Sequence, residues 1–164
     1  MKTLLTRLAP LVIVPALAGG CLALSQQTPK AQVFVGGQAV HAGGVTEGGF
    51  IGSATLDVAP VVGLTVQASV IPGFGGTGFA ILAGPTIYPV GHKRVSPFIQ
   101  ALGGGAFASS SGGVSAAVFA ASVGGGIDAA VSDRIAIKVG ADWLHVPAFG
   151  ASAARAYVGV AFSF

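Results

Sequence analysis

Strict alternation of apolar residues near the C-terminus constrains the fold of this chain more than any other feature. One set of alternate positions is apolar, namely Ile135, Ile137, Val139, Ala141 and Trp143. The residues between them are Ala136, Lys138, Gly140 and Asp142. Further on, Ala156, Val158, Val160, Phe162 and Phe164 alternate in the same way with Arg155, Tyr157, Gly159, Ala161 and Ser163. A period of two residues is typical of β-strands whose two faces meet different environments.

Charge is too sparse in this chain for a surface that faces water. Charged residues make up 8% of the sequence and hydrophobic residues 52%, whereas soluble domains carry about 25% charged residues. A helical membrane protein needs about 20 consecutive apolar residues per span, and beyond residue 30 the apolar runs are short. A membrane β-barrel meets both constraints, because only alternate residues of each strand must face lipid.

Turn residues divide the rest of the chain into about eight strand-like segments. Their approximate spans are 31–41, 47–58, 63–72, 78–89, 96–107, 115–129, 135–145 and 154–164. The fold class predicted from them is all-β: an eight-stranded antiparallel up-and-down transmembrane β-barrel that follows an N-terminal signal peptide. An even number of strands returns both ends to the same side, which is the periplasm in bacterial barrels.

The N-terminal segment has the pattern of an export signal. Lys2 and Arg7 precede an apolar stretch over residues 8–24, and Ala23-Leu24-Ser25 offers small residues for cleavage. The predicted division is therefore a signal peptide over 1–25 and a barrel over 26–164. An uncleaved helical anchor is the alternative.

Cys21 is the single cysteine, so no disulfide within the chain is expected. It follows small residues that loosely resemble a lipoprotein processing site. The two interpretations are a lipid-modified N-terminus and an inert cysteine that is removed with the signal, and the second is favoured.

Polar residues on the alternate positions are expected to face the barrel interior. The candidates are Asp57, Asp128, Lys138, Asp142 and Arg155. The opposite orientation would place a basic side chain in hydrocarbon at a cost of about 2–4 kcal/mol near the midplane. The hypothesis is an ion pair between Asp142 and Arg155 across the last hairpin, which a wider network with Lys138 and Asp128 would extend. A structural role is favoured for these residues.

No catalytic, metal or cofactor site is predicted. The three histidines are expected at different ends, with His92 in a periplasmic turn and His41 and His145 at the opposite rim. A lipid A deacylase-like barrel would need a His, a Ser and an acid together, and His145 is followed by Val146-Pro147 rather than by a suitably spaced serine. The glycine triplets 103–105 and 124–126 lack the strand-to-helix context of a phosphate-binding loop.

Several stretches carry a resemblance to a known family. They are Gly84-Pro85-Thr86, Arg94-Val95-Ser96-Pro97-Phe98, Gly124-Gly125-Gly126-Ile127-Asp128, Ser132-Asp133-Arg134-Ile135-Ala136-Ile137-Lys138 and Ala156-Tyr157-Val158-Gly159-Val160-Ala161-Phe162-Ser163-Phe164. Residues 31–164 resemble the small outer-membrane β-barrel domain family, the eight-stranded group often called porin-like or opacity-like. Members often carry Arg or Lys at the position of Thr86, and they often have longer outer loops. Both features are reduced in this chain, so adhesin-like roles, which use long exposed loops, are not favoured.

The resemblance implies an outer-membrane location and partners used in biogenesis. The last strand, with Tyr157, Phe162 and Phe164, is what such proteins present to the barrel assembly machinery, after periplasmic chaperones have escorted the chain. The remaining partner is outer-membrane lipid. Nucleic acid is not expected, because without Lys2 and Arg7 the charges nearly balance.

The function predicted from the sequence is a structural or binding role in the cell envelope, without catalysis. The alternatives are a narrow pore for small solutes and, less favoured, an envelope enzyme that acts on lipid. A soluble lipocalin-like barrel would require a polar exterior, which the sparse charge argues against. Neither a ligand nor an oligomeric state can be read from the sequence.

Overall fold

A computed structural model of the protein describes residues 30–73, 76–110, 113–114 and 118–164. Its strands are β1 (Ala31–Ala42), β2 (Val45–Ala59), β3 (Val62–Gly73), β4 (Gly76–Ile87), β5 (Val95–Ser110), β6 (Gly113–Val114), β7 (Val118–Ala130), β8 (Ile135–Val146) and β9 (Ala151–Ser163). A single 3₁₀ turn, Pro147–Phe149, joins β8 to β9. No helix in these ranges has the length and apolar character to cross a bilayer.

The eight long strands form a closed ring. Each pairs antiparallel with its neighbours in the chain, and the two-residue β6 only extends the hairpin between β5 and β7. Closure comes from β1 and β9, which pair from Gln32 opposite Ser163 to His41 opposite Ala154. The predicted antiparallel up-and-down barrel of eight strands is therefore confirmed.

Strand boundaries differ from the predicted ones mainly at the end opposite the termini. The last strand begins at Ala151 rather than at 154, and the predicted segment 96–107 corresponds to β5, which continues to Ser110. The β1–β2 turn is only Gly43 and Gly44, both with positive φ angles (57° and 82°), as a two-residue type I′ hairpin requires. Strand pairing thus continues into Gly, Ala and Ser stretches that the sequence suggested were loops.

The predicted signal peptide over 1–25 lies outside the described residues, as does Cys21. The division at residue 26 therefore stays a prediction. The glycine triplets lie inside β5 and β7, and each of these strands leads to another strand. This position agrees with a role in strand packing rather than in phosphate binding.

The distribution of polarity is the reverse of that in a soluble protein. Many large apolar side chains point outward, for example Phe50 (72% exposed), Trp143 (54%) and Val139 (51%). Within the described ranges, thirteen polar or charged residues are buried inside: Gln38, Thr55, Thr65, Gln67, Ser69, Thr86, Ser96, Gln100, Ser122, Asp128, Lys138, Asp142 and Arg155. Because water-soluble proteins rarely bury charged side chains or leave large apolar faces uncovered, this outer surface is suited to hydrocarbon.

Aromatic rings in the lumen require small residues on the adjacent strands. A Cβ atom at Gly140 would lie 2.5 Å from the ring of Tyr157, which belongs to the adjacent strand. Gly140 is paired with Tyr157 in the β8–β9 register, and both point inward. The glycine therefore leaves the space that the tyrosine ring fills.

Replacing Gly140 with valine is expected to lower the free energy of unfolding by about 1–3 kcal/mol, because the new side chain overlaps the Tyr157 ring. Urea unfolding of the refolded protein measures this loss. Gly48→Val is the matched control, since a Cβ at Gly48 meets nothing within 4 Å. An equal loss in both variants would show that the ring contact is unimportant.

Candidate functional site

The most deeply buried charge in the lumen is Arg155 of β9, which is 1% exposed. It is the cross-strand partner of Asp142 in β8. The guanidinium donates two hydrogen bonds to this carboxylate, from Nε to Oδ1 (2.9 Å) and from Nη2 to Oδ2 (2.7 Å). Such a two-point pairing is the strongest arrangement available to these groups.

Arg155 also reaches residues across the lumen. Its Nη1 donates to the Ser69 hydroxyl at 3.3 Å, and its Nη2 donates to the side-chain carbonyl oxygen of Gln67. Both acceptors are on β3, which is separated from β9 by β1 and β2. The guanidinium and its partners therefore form a polar crossbar, defined here as Arg155, Asp142, Gln67 and Ser69, that spans the interior.

A second ion pair lies nearer the chain termini. Lys138 Nζ is 3.4 Å from Asp128 Oδ2, and the two residues are cross-strand partners on β8 and β7. The ammonium also lies 4.7 Å from the centre of the Phe98 ring, a distance suited to a cation–π contact. Gln32 donates its amide to the same Asp128 oxygen at 3.4 Å.

The two ion pairs are separate, so the wider network suggested by the sequence does not form among the described residues. Lys138 and Asp142 are four positions apart on β8, which corresponds to about 13 Å along a strand. Gly140 lies between them, and the Tyr157 ring fills the space above it. An aromatic side chain thus stands where a linking polar group would be needed.

Asp57 belongs to a third group, at the end of the barrel that carries the termini. Its carboxylate lies 3.5 Å from His92 Nε2. The imidazole stacks on Tyr88, with ring centroids 4.3 Å apart, and Tyr88 is completely buried. Burial, with the nearby carboxylate of Asp128, raises the pKa of the Tyr88 phenol, so this ring remains neutral as it closes the lumen.

Hydroxyl groups and apolar side chains fill the rest of the interior. Thr65 bonds to Thr55 at 2.9 Å and to Thr86 at 2.7 Å, so the residue at position 86 joins a chain of threonines. Towards the end opposite the termini, the lumen is lined by a packed apolar cluster of Leu82, Leu102, Ala120 and Leu144. The lumen is therefore occupied near the termini, in the middle and in the half opposite the termini.

The residues expected to guide assembly divide between the two faces of the last strand. Tyr157 is buried, packs against Phe34 with centroids 5.9 Å apart and accepts a hydrogen bond from Gln100 at 3.2 Å. Phe162 and Phe164 point outward and are 40% and 80% exposed. Their role in recognition by assembly factors stays a prediction.

Two histidines at the rim opposite the termini have hydroxyl partners. Nδ1 of His145 lies 2.9 Å from the Ser152 oxygen, and Nδ1 of His41 lies 2.8 Å from the Thr46 oxygen. His145 thus has a serine partner, contrary to the expectation from Val146-Pro147, the residues that follow it. Ser152 faces His145 across the β8–β9 hairpin, a pairing that spacing along the chain does not reveal.

These pairs do not complete a catalytic or metal site in the described residues. A hydrolytic triad needs a carboxylate that orients the histidine, and His145 has no ion pair with one in the described part of the chain. Within the same ranges, no three side chains of the His, Cys, Asp or Glu type gather closely enough to hold a metal ion.

A closed ring of eight antiparallel strands with an apolar exterior and a filled polar lumen defines the class: this is the fold of the small outer-membrane β-barrels. Among similar solved structures is the N-terminal barrel domain of OprF from Pseudomonas aeruginosa, with a TM-score of 0.64 and 14% identity over 84% of this chain and 100% of that one. Neisserial surface protein A has a TM-score of 0.63 and 14% identity over 83% and 97%.

A third similar structure is Ail of Yersinia pestis, solved in complex with the heparin analogue sucrose octasulfate. Its TM-score is 0.57, with 15% identity over 84% of this chain and 100% of that one. No protein-family model and no curated protein sequence matches the chain. The similarity to these three structures is therefore in the fold and not in the sequence.

Proposed function

We propose that the protein is an integral barrel of the bacterial outer membrane with a structural or binding role in the cell envelope. The observation that carries this proposal is the reversed polarity: exposed apolar side chains surround buried ion pairs. Both mature termini would then face the periplasm, where the barrel assembly machinery and chaperones meet the chain.

The dimensions and the placement of charge support a barrel that spans the membrane. Ten residue steps from Ala154 to Phe164 correspond to roughly 25 Å along the axis of a barrel with strands tilted by about 40°, which matches the apolar band of outer-membrane barrels. The exposed basic residues Lys30, Lys93, Arg94 and Arg134 all lie at the end that carries the termini. These four exposed charges thus lie outside the apolar band.

The filled lumen supports a structural or binding role over conduction. A narrow pore remains the second candidate because polar side chains line part of the interior. Solutes would have to pass the crossbar at Arg155, the buried Tyr88 ring and the outer apolar cluster. Eight-stranded barrels have lumens just wide enough for their own side chains, so conduction would require several of these groups to move together.

Two other activities have less support. An enzyme acting on lipid would need an acid beside the His145–Ser152 pair, and none is paired with it in the described residues. Binding of a sulfated sugar, such as the heparin analogue sucrose octasulfate in the Ail complex, would call for exposed cationic side chains. The chain has no Lys or Arg between residues 42 and 46 or between 146 and 154, near the outer end.

Outer-membrane fractions and refolded protein test the proposal directly. We expect the folded protein to migrate differently on gels before and after boiling, as closed barrels resist detergent until heated. In planar bilayers, the refolded protein should give no discrete, reproducible current steps. Migration unaffected by boiling together with an inner-membrane location would refute the barrel assignment, whereas regular steps would favour the narrow pore.

A further inference from the structure

A groove of about 500 Å³ runs along the lipid-facing wall where β1, β8 and β9 meet. Eight of the residues that line it are exposed and point outward: Ala39, His41, Thr46, Val123, Ala141, Trp143, Ala154 and Ala156. The other two, Asp142 and Arg155, have buried side chains. Because their side chains point into the lumen, these two contribute backbone to the floor.

The shape of the groove follows from side-chain size. Ala156 is the direct neighbour of Ala39 on one side and of Ala141 on the other, so three short side chains form its floor. Below them, Val158 is 55% exposed and projects from the wall. Trp143 stands beside Ala154 and forms one side wall. The groove is therefore a shallow depression beside these taller side chains, and it is open towards the β1–β2 turn.

The open end carries polar groups at the height of the membrane interface. His41 and Thr46 line the groove itself, and the His145–Ser152 pair lies one outward position beyond Trp143. Each histidine engages its hydroxyl through Nδ1, which leaves Nε2 as the nitrogen available to a ligand. Imidazole and hydroxyl groups suit a phosphate oxygen, and tryptophan is common at this depth.

We propose that this groove is a lipid-binding site, in which one acyl chain lies over the alanine floor and a headgroup phosphate monoester accepts a hydrogen bond from Nε2 of His41, whose Nδ1 is held by Thr46. The ligand is a phosphate-bearing lipid of the outer leaflet. This inference rests on the proposed outer-membrane location, because it requires the groove to open towards the outer surface.

Charge argues for a lipid rather than for a second copy of the chain. The five acidic residues are Glu47, Asp57, Asp128, Asp133 and Asp142. Asp57, Asp128 and Asp142 face the lumen, and Asp133 lies in a turn at the opposite end. Glu47 also points inward, because its carboxylate would contact a side chain placed at Gly73 on the inner side of β3. A second copy thus offers no side-chain carboxylate to the rim histidines.

Trp143 provides a built-in probe, because it is the one tryptophan of the chain. The refolded protein is placed in phosphatidylcholine vesicles that contain phosphatidic acid with brominated acyl chains, which quench tryptophan fluorescence on contact. We expect phosphatidic acid to be preferred at the groove over brominated phosphatidylcholine by about five-fold, the effect of one net hydrogen bond to the headgroup.

Two variants separate the headgroup contact from the acyl-chain contact. His41→Ala should reduce the preference to nearly one-fold, and Ala156→Leu should fill the floor and weaken quenching by both lipids. Ala83→Leu on β4 is the control, since it makes the same change on an outward position away from the groove. Heat-modifiable migration of every variant shows that each has folded.

The outcomes distinguish this inference from the proposed function. Failure of the unaltered protein to enter vesicles would overturn both. Insertion with equal quenching by the two lipids, or quenching that Ala156→Leu leaves unchanged, would overturn the lipid site alone. Crosslinked dimers that disappear in Ala156→Leu would assign the groove to a second copy instead.

Discussion

Arg155→Ala is expected to lower the free energy of unfolding by about 3–5 kcal/mol, because it leaves the carboxylate of Asp142 buried without its partner. The same change removes the donors to Ser69 and to Gln67 on the far side of the lumen. Urea titration of the protein refolded in lipid vesicles measures the effect, with Trp143 fluorescence as the signal.

The control for this experiment is Arg134→Ala. Arg134 is exposed in the turn between β7 and β8 and has no ion pair among the described residues. A change below about 0.5 kcal/mol is expected there. Replacing both partners of the buried pair, in Arg155→Met with Asp142→Leu, should recover much of the loss because no lone charge remains. If Arg155→Ala cost no more than Arg134→Ala, the crossbar would have no role in stability.

The second large effect concerns the outer wall. Val139→Arg is expected to cost about 2–4 kcal/mol, because Val139 lies midway along β8 on the lipid-facing side and a basic group is expensive at that depth. The same unfolding titration in vesicles measures this effect. In a soluble barrel, arginine at this half-exposed position would be nearly neutral.

Val131→Arg supplies the comparison for the wall experiment. Val131 is even more exposed, at 66%, but it lies in the turn between β7 and β8 rather than in the apolar band. The two substitutions are chemically identical, so their difference isolates depth in the membrane. Equal effects at positions 131 and 139 would contradict a membrane-spanning β8.

The inward orientation of Asp142 and Arg155 was predictable because alternation and charge agree in β8 and β9. Neither signal operates in segments built from Gly, Ala and Ser, where both faces look alike. The ends of β5 and β7 were consequently misplaced, and the two-residue β6 was not foreseen. Alternation determines faces wherever residue types differ in their preference for lipid.

Partners across the lumen were beyond the reach of the sequence. Gln67 and Ser69 lie on the predicted inner face of β3, but their contact with Arg155 depends on the barrel's diameter and on the reach of one guanidinium. The Ser152 partner of His145 depends on hairpin register, which shifts with turn length. Both sets of contacts depend on how the strands are arranged in three dimensions and not only on the order of residues in the chain.

Closure of the ring by β1 and β9 has a consequence for the timing of folding. The pairing of Gln32 with Ser163 joins β1 to β9, which lie far apart in the chain, so β1 keeps one edge unpaired until β9 reaches it. Until then both edges expose backbone groups that hydrocarbon cannot satisfy. Closure through such distant residues is slow for an unaided chain, so these open edges persist after the hairpins between neighbouring strands have formed.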